Sequence, residues 1–268
     1  MSPRLQGVLL RVAAIVALVY LLAPISMVIP VSLTDQRMLS MPVHGLSLQH
    51  YQTVLHSRDW IAAAGQSLVI GIVSTLLALT IATFSAIGCW MLGQRKSGFF
   101  RIVNLLPIVI PSIIYALGAY RFLAELGLFD TLAGVILVHT IGSIPFVFVA
   151  ISTNLDYLDI RLVHAARSLG AGLLRTVVAV ILPNIRPGLV SAAIFAFLHS
   201  WDEVVVTLFV TSHAVRTLPR KMWEGLNENL DPTVACVAVA LIFLTVLLLM
   251  LEHRASSSRQ PAVPADAG

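Results

Sequence analysis

Residues 164–188 read HAARSLGAGLLRTVVAVILPNIRPG, and they stand apart from almost everything around them. On both sides the chain runs apolar over lengths that suit a bilayer. Here the apolar pattern stops for about thirty residues, too few of them apolar in a row to cross. Arg161, Arg167, Arg175 and Arg186 appear among small residues, glycines and prolines. Asp156 or Asp159 can cap a first short helix. Its apolar residues Leu158, Leu162, Ala165, Ala166 and Leu169 fall on one helical stripe. Gly170 is placed to end that helix, because glycine takes positive φ without cost. Leu173, Leu174, Val177, Val178 and Ile181 line one side of a second segment, which Pro183 stops. Pro187-Gly188 begins the next apolar run. Two short amphipathic helices joined by a glycine elbow, with a flat alanine surface, make a docking element for a partner outside the membrane.

The surroundings set the class. The 268 residues are 58% hydrophobic and 11% charged, with mean hydropathy +0.91. A soluble domain carries about a quarter charged residues, whereas about 20 apolar residues in a helix span a bilayer. Six such runs are expected, near 8–31, 64–92, 103–124, 131–152, 187–210 and 233–251. The expected fold is all-α: a polytopic membrane protein with six transmembrane helices. The first run exceeds the 7–15 residues of a signal-peptide core and has no clean cleavage site, so it reads as a retained helix. Residues 1–252 form one transmembrane domain on this reading. The polar, Pro- and Ala-rich tail, 253–268, is expected to be disordered.

Net charge +4 invites a nucleic-acid partner, but the placement of charge argues against one. With a cytoplasmic N-terminus, eleven Lys and Arg lie inside, among them Arg95, Lys96, Arg101, Arg161, Arg167 and Arg175. Six lie outside: Arg37, Arg58, Arg121, Arg216, Arg220 and Lys221. That is the positive-inside bias. It puts both termini, and the links 93–102 and 153–186, in the cytoplasm. Ser67, Gly71, Ala78, Ala82 and Ala86 recur at helical spacing on the second span, either as a close-packed seam or as ordinary alanine-rich helix. Pro107, Pro111 and Pro145 fall inside predicted spans, where they free carbonyls and can kink a helix.

The elbow has a counterpart. Ala165-Ala166, Leu169-Gly170-Ala171 and Leu182-Pro183 resemble the EAA loop of ABC-importer permeases, a Glu-Ala-Ala…Gly…Leu-Pro pattern. His164 stands where the family has Glu, exchanging a fixed anion for a group that can donate or accept a hydrogen bond. The stretches GLSLQHYQTVL, NLLPIVIPSIIYALG, LGLFDTLAGVILVHTIGSIPFVF and FLHSWDEVVVTLFVTSHAVRTLP resemble the second permease of spermidine/putrescine importers. Permeases for ferric iron, sulfate, molybdate and aminoethylphosphonate share much of the pattern. The resemblance implies a type I ABC-importer permease fold in a bacterial inner membrane. It further implies coupling to a partner ATPase through His164, Ala165, Ala166, Leu169, Gly170, Ala171, Leu182 and Pro183. The implied partners are a second homologous permease, two ATP-binding subunits, a periplasmic solute-binding protein and membrane lipid. No cofactor is expected in this chain, ATP being bound by the partner.

What the chain lacks agrees. It has no G-x-x-x-x-G-K-[ST] phosphate loop, and Lys96 and Lys221 are its only lysines. No catalytic constellation is visible, so the chain is read as a non-enzyme. No metal site is expected either: Cys89 and Cys236 stand alone, and His199 with Glu203 makes only two ligands. Trp201, Asp202 and Glu203 are the candidate substrate-path residues. A carboxylate at a helix centre costs about 2.5–3.5 kcal/mol to insert, which points to function. Carboxylates beside an aromatic ring suit ammonium groups; pairing with a partner subunit is the alternative. Asp202 is read as the more pathway-facing of the two, Glu203 as support. A lone secondary transporter is the rival class, but it has little use for a docking elbow, and no inverted repeat is visible.

Overall fold

The computed structural model describes residues 3–228 and 230–257, and every regular element among them is a helix. They fall into two compact units. One is built on the chain up to Ile61 together with Lys221–Leu244, the other on Ala62–Arg220 together with the chain from Thr245. Four helices are long and apolar enough to cross a membrane, or six if each of two bent helix pairs counts as one span.

The first unit holds α1 (Pro3–Ser32) and the short α2 (Gln49–His56). The most apolar window of α1 is buried nowhere within the chain. The link that follows is tied down locally. Asp35 accepts backbone N–H bonds from Val43 (2.9 Å) and His44 (3.2 Å). The Val43 bond leads in holding its carboxyl below the usual range. Ser32 and Tyr51 share a hydroxyl bond of 2.8 Å.

The second unit carries most of the bundle: α3 (Arg58–Leu92), which enters it from Ala62, α4 (Gln94–Val109), α5 (Ser112–Glu125) and α6 (Leu132–Asp156). Next come α7 (Ile160–Ser168), α8 (Leu173–Asn184), α9 (Arg186–Asp202) and the six-residue α10 (Val205–Val210). The short α11 (Leu218–Glu228) and the last apolar helix, α12 (Thr233–Ser257), follow, with Lys221–Leu244 belonging to the first unit. The seam on α3 is close-packed. Ala78, Ala82 and Ala86 are buried in one core with Val147, Ile151 and Leu155 of α6 and Ala192 and Ala196 of α9. A Cβ on Gly71 would come within 2.8 Å of the Phe197 ring, so only glycine lets these helices approach so far. Val163, Val177 and Ile181 belong to the same core, which therefore runs from the bundle into the elbow without a gap.

Four expectations need correction. The third span is not continuous: α4 and α5 meet at 104° across Ile110-Pro111. Pro111 has no N–H and pushes Ile110 out of the helical region, to φ −78° and ψ 127°. Pro107, by contrast, stays inside α4. The fifth span ends at Asp202, and the apolar residues after it form the separate α10. The link 93–102 is not a loop, because α4 begins at Gln94 and Gly93 alone, at φ +74°, makes the turn. The last helix runs to Ser257, past the expected boundary at 252, and the remainder of the tail lies outside the described residues.

Asp130 organises the loop that follows α10. It sits at φ +54°, and its carboxylate accepts backbone N–H bonds from Ser212 (2.8 Å), His213 (3.0 Å) and Ala214 (3.1 Å). Burial alone would raise its pKa. The three N–H groups outweigh that and hold the carboxyl down at about 2, so it stays ionised. Gln66 adds two bonds, to Ala214 O (3.4 Å) and from Arg216 N (2.7 Å), and the loop is pinned at both ends.

Candidate functional site

Two places in the second unit concentrate polar chemistry: the elbow and a pair of helix breaks.

In the elbow, Asp159 is the cap that forms. Its side chain accepts the Arg161 N–H at 2.9 Å and pairs with the Arg161 guanidinium. Gly170 takes φ +83°. Ala171 N bonds to Ala166 O and Gly170 N to Arg167 O, both at 3.0 Å, which is the paired closure that a left-handed C′ residue permits. Beyond it, α8 opens into a π-helical turn over Val177–Ile181, with Leu182 N reaching Val177 O. The ladder widens just before Pro183, which cannot donate to it. Pro183 itself sits inside α8, which runs one residue further to Asn184. The expected apolar stripe on α7 is not a buried one. Val163 faces the core, while Leu169 is 89% exposed and Leu174 73% exposed. Leu162, Leu173 and Val178 are exposed as well, as are His164 and Ala165; Ala166, Ala171, Leu182 and Pro183 are half-buried. The elbow thus offers leucines and alanines outward on a rigid, core-anchored frame.

The second place is the break between α9 and α10. Glu203 leaves the helix with φ −75° and ψ 108°, and its Oε1 accepts the Val206 N–H at 2.9 Å, which caps α10. Two adjoining cavities meet here. One, of about 310 Å³, is lined by Phe146, Phe195, Leu198, His199, Asp202 and Glu203. The other, of about 370 Å³, shares Phe146, His199 and Glu203 and reaches the α4–α5 break at Pro107–Ser112 and Tyr115. Volumes of this order suit small-molecule sites. Phe146 stacks on His199, with centroids 4.6 Å apart and planes at 30°. Gly142 makes room for that imidazole, since a Cβ there would fall 2.9 Å from Nε2. No Lys or Arg lines either cavity.

Of the three residues singled out from sequence, the structure brings Asp202 and Glu203 to the cavities and leaves Trp201 out. Trp201 is 8% exposed and stacks on Phe197 at 5.2 Å. Because the helix ends between them, Asp202 and Glu203 are not held 100° apart as neighbours in one helix would be; both reach the same cavity. Asp202 is exposed and makes no hydrogen bond or ion pair with a described residue. Tyr115 and Phe146 were missed. Pro111, just before Tyr115, is where one span breaks, whereas Pro145, next to Phe146, stays inside α6 and marks no bend.

Broken helices around a polar pocket, in an otherwise apolar bundle, are the architecture of solute pathways through membranes. Residues 76–257 match a protein family described as "Binding-protein-dependent transport system inner membrane component". The chain belongs to that family.

Relatives agree. The chain is 26% identical over 234 residues to the "Spermidine/putrescine transport system permease protein PotC" of Escherichia coli (strain K12), covering 87% of this chain and 88% of that one. It is 27% identical over 255 residues to the "Putative 2-aminoethylphosphonate transport system permease protein PhnV" of Salmonella typhimurium, covering 94% and 96%. Among solved structures, a bacterial ABC transporter that imports alginate superposes with a TM-score of 0.67 at 16% identity, over 97% of this chain and 99% of that one. The MetNI methionine ABC transporter gives 0.63 at 20% identity, over 75% and 96%. These likenesses carry the fold, the type I importer permease. The chain is accordingly a multi-pass inner-membrane permease subunit of an ABC importer and not an enzyme; ATP hydrolysis belongs to a separate subunit.

Proposed function

We propose that this permease imports an amine-bearing solute, a polyamine such as putrescine or spermidine in the first place. The observation that carries the reading is the lining of the joined cavities. Asp202 and Glu203 lie beside the stacked Phe146–His199 pair, and no Lys or Arg is present. Ammonium groups are matched there by carboxylates and by an aromatic face. The solutes in the names of PotC and PhnV both carry an amine. A phosphonate needs a cationic partner as well, which these cavities do not supply, and the polyamine is therefore the better fit.

The working assembly on this reading contains a second, homologous permease, two ATP-binding subunits and a periplasmic solute-binding protein that delivers the solute. ATP-driven closure of the ATPase pair is transmitted through residues 158–183, with His164, Ala165, Ala166, Leu169, Gly170, Ala171, Leu182 and Pro183 at the contact. The exposed leucines and alanines of the elbow give that contact its apolar surface, and the shared core gives it a path into the bundle. Movement of the elbow then shifts α9, and the breaks at 110–111 and 203–204 let the pathway change the side to which it opens.

Two measurements test the reading. Vesicles holding the whole complex with its binding protein should take up radiolabelled putrescine or spermidine in an ATP-dependent way. Uptake of aminoethylphosphonate but of neither polyamine would move the assignment to the second solute. For orientation, reporter fusions active only in the periplasm should be silent at Gly93 and Gly170 and active at His44 and Asn227. The reverse pattern would remove the coupling role altogether.

A further inference from the structure

Directly behind the cavities lies a polar group that the reading above does not use. His139 of α6 is 2% exposed, and both of its ring nitrogens are bonded. Nδ1 lies 2.8 Å from Ser200 Oγ, and Nε2 lies 3.1 Å from Thr207 Oγ1. Ser200 is in the last turn of α9 and Thr207 is in α10, so one imidazole holds both sides of the break at Glu203.

The hydroxyls decide the direction of these bonds. Thr207 Oγ1 donates its one proton to Glu203 O at 3.2 Å. It must therefore accept from Nε2–H, and a neutral imidazole with its proton on Nε2 accepts at Nδ1. Ser200 O–H supplies that bond, and Ser74 Oγ of α3 lies 3.1 Å from Ser200 Oγ and 3.3 Å from Gly71 O, its one proton divided between the two acceptors. A run of hydrogen bonds thus leads from Ser200 through His139 and Thr207 to the backbone carbonyl of the residue whose side chain enters the cavities, with Ser74 of α3 beside its start. A polar chain of this kind in an apolar bundle holds its members in place, because each unmade bond leaves a buried group unsatisfied.

We propose that His139 is a positioning residue for transport: by bracing Ser200 and Thr207 it fixes the α9–α10 break and so presents Glu203 to the solute. This rests on the reading of Glu203 as a pathway residue, and the test separates the two. Initial uptake is measured in vesicles of the whole complex with saturating loaded binding protein. The probe is putrescine, or aminoethylphosphonate if that is what the wild type imports. His139→Leu removes both bonds and should lower the rate roughly fivefold, the scale of two buried hydrogen bonds shared among several elements. His139→Gln keeps an N–H near the Nε2 position and should recover at least half of the loss, which space-filling alone does not explain. On a Glu203→Gln background, His139→Leu should have little further effect, because its target is already gone.

A second measurement does not depend on transport. With Cys89 and Cys236 replaced by Ala, Glu203→Cys should react with a charged, water-soluble thiol reagent at a rate that His139→Leu alters and His139→Gln largely restores. If Glu203→Gln alone transports normally, the pathway reading of Glu203 fails, whatever His139 does. If Glu203→Gln is impaired but the His139→Leu loss adds to it in full, or if labelling at 203 ignores position 139, the positioning role is overturned.

Discussion

Gly170→Val should assemble normally and lose nearly all uptake together with nearly all stimulation of ATP hydrolysis by loaded binding protein. The cause is conformational and not steric. A Cβ on Gly170 meets nothing within 4 Å, but the residue holds φ +83°. For an L-residue the left-handed region costs about 1–2 kcal/mol, and a β-branched side chain is still less tolerant of it. The chain can relieve that strain only by undoing the closure of α7, the paired bonds from Ala171 N and Gly170 N. Doing so re-aims Leu169 on one side and Leu173 and Leu174 on the other, the apolar residues that the elbow holds outward. Two companions make the test specific. Gly170→Asn should keep much of the activity, because Asn visits positive φ readily. Gly172→Ala should be close to neutral, because Gly172 sits at φ −66° with open space around it. Equal loss in all three variants would mean that bulk at a docking surface, and not the backbone of the elbow, is what matters; normal coupling in Gly170→Val would make Gly170 an ordinary loop residue.

The elbow was legible in the sequence because its punctuation is local. A capping Asp159, a Gly170 that must turn left-handed and a Pro183 that cannot extend a ladder each act within a few residues. Asp159 and Gly170 act where the sequence places them, whereas Pro183 does not stop its helix, which continues to Asn184 after a widened turn. The same holds for the small-residue seam of α3, since Gly71, Ala78, Ala82 and Ala86 can serve close approach only on one face. The side on which the α7 leucines lie was not legible. Amphipathic spacing gives a stripe but not its direction, and here Leu162, Ala165 and Leu169 face outward while Val163 is buried in the core and Leu158 packs against it. Nor were the helix breaks legible. Pro107 and Pro111 look alike in sequence, yet one is absorbed into α4 and the other ends it. Nothing in their local sequence says which of the two ends the helix. The pocket inherits that difficulty: Tyr115, Phe146 and His199 are far apart in the chain and meet only because α4 and α9 both stop short.

Asp202→Asn should cut uptake by at least about tenfold with the complex fully assembled, the loss expected when a charge-assisted contact of about 1.5–3 kcal/mol is removed. The two carboxylates are not equivalent. Glu203 spends one oxygen on the Val206 N–H, so replacing it disturbs the start of α10 as well as the cavity. Asp202 faces the cavity with no hydrogen bond or ion pair to a described residue, so its charge is available to a solute. It is also exposed on the bundle, where a carboxylate left to lipid costs about 2.5–3.5 kcal/mol. His199 shares the cavity, and beyond it the charge can be met by a cation in the pathway or by a basic group on the proposed second permease; these two options predict different things. If the solute supplies the positive charge, Asp202→Asn keeps shape and assembly and loses transport, while Asp202→Glu keeps a substantial part of it. If the partner subunit supplies it, Asp202→Asn weakens recovery of the second permease when the complex is purified through this chain, and uptake per assembled complex stays near normal. Normalising uptake to the amount of intact complex separates the two. Unchanged uptake and unchanged recovery in Asp202→Asn would leave the carboxylate without either role and would remove the observation on which the amine assignment rests.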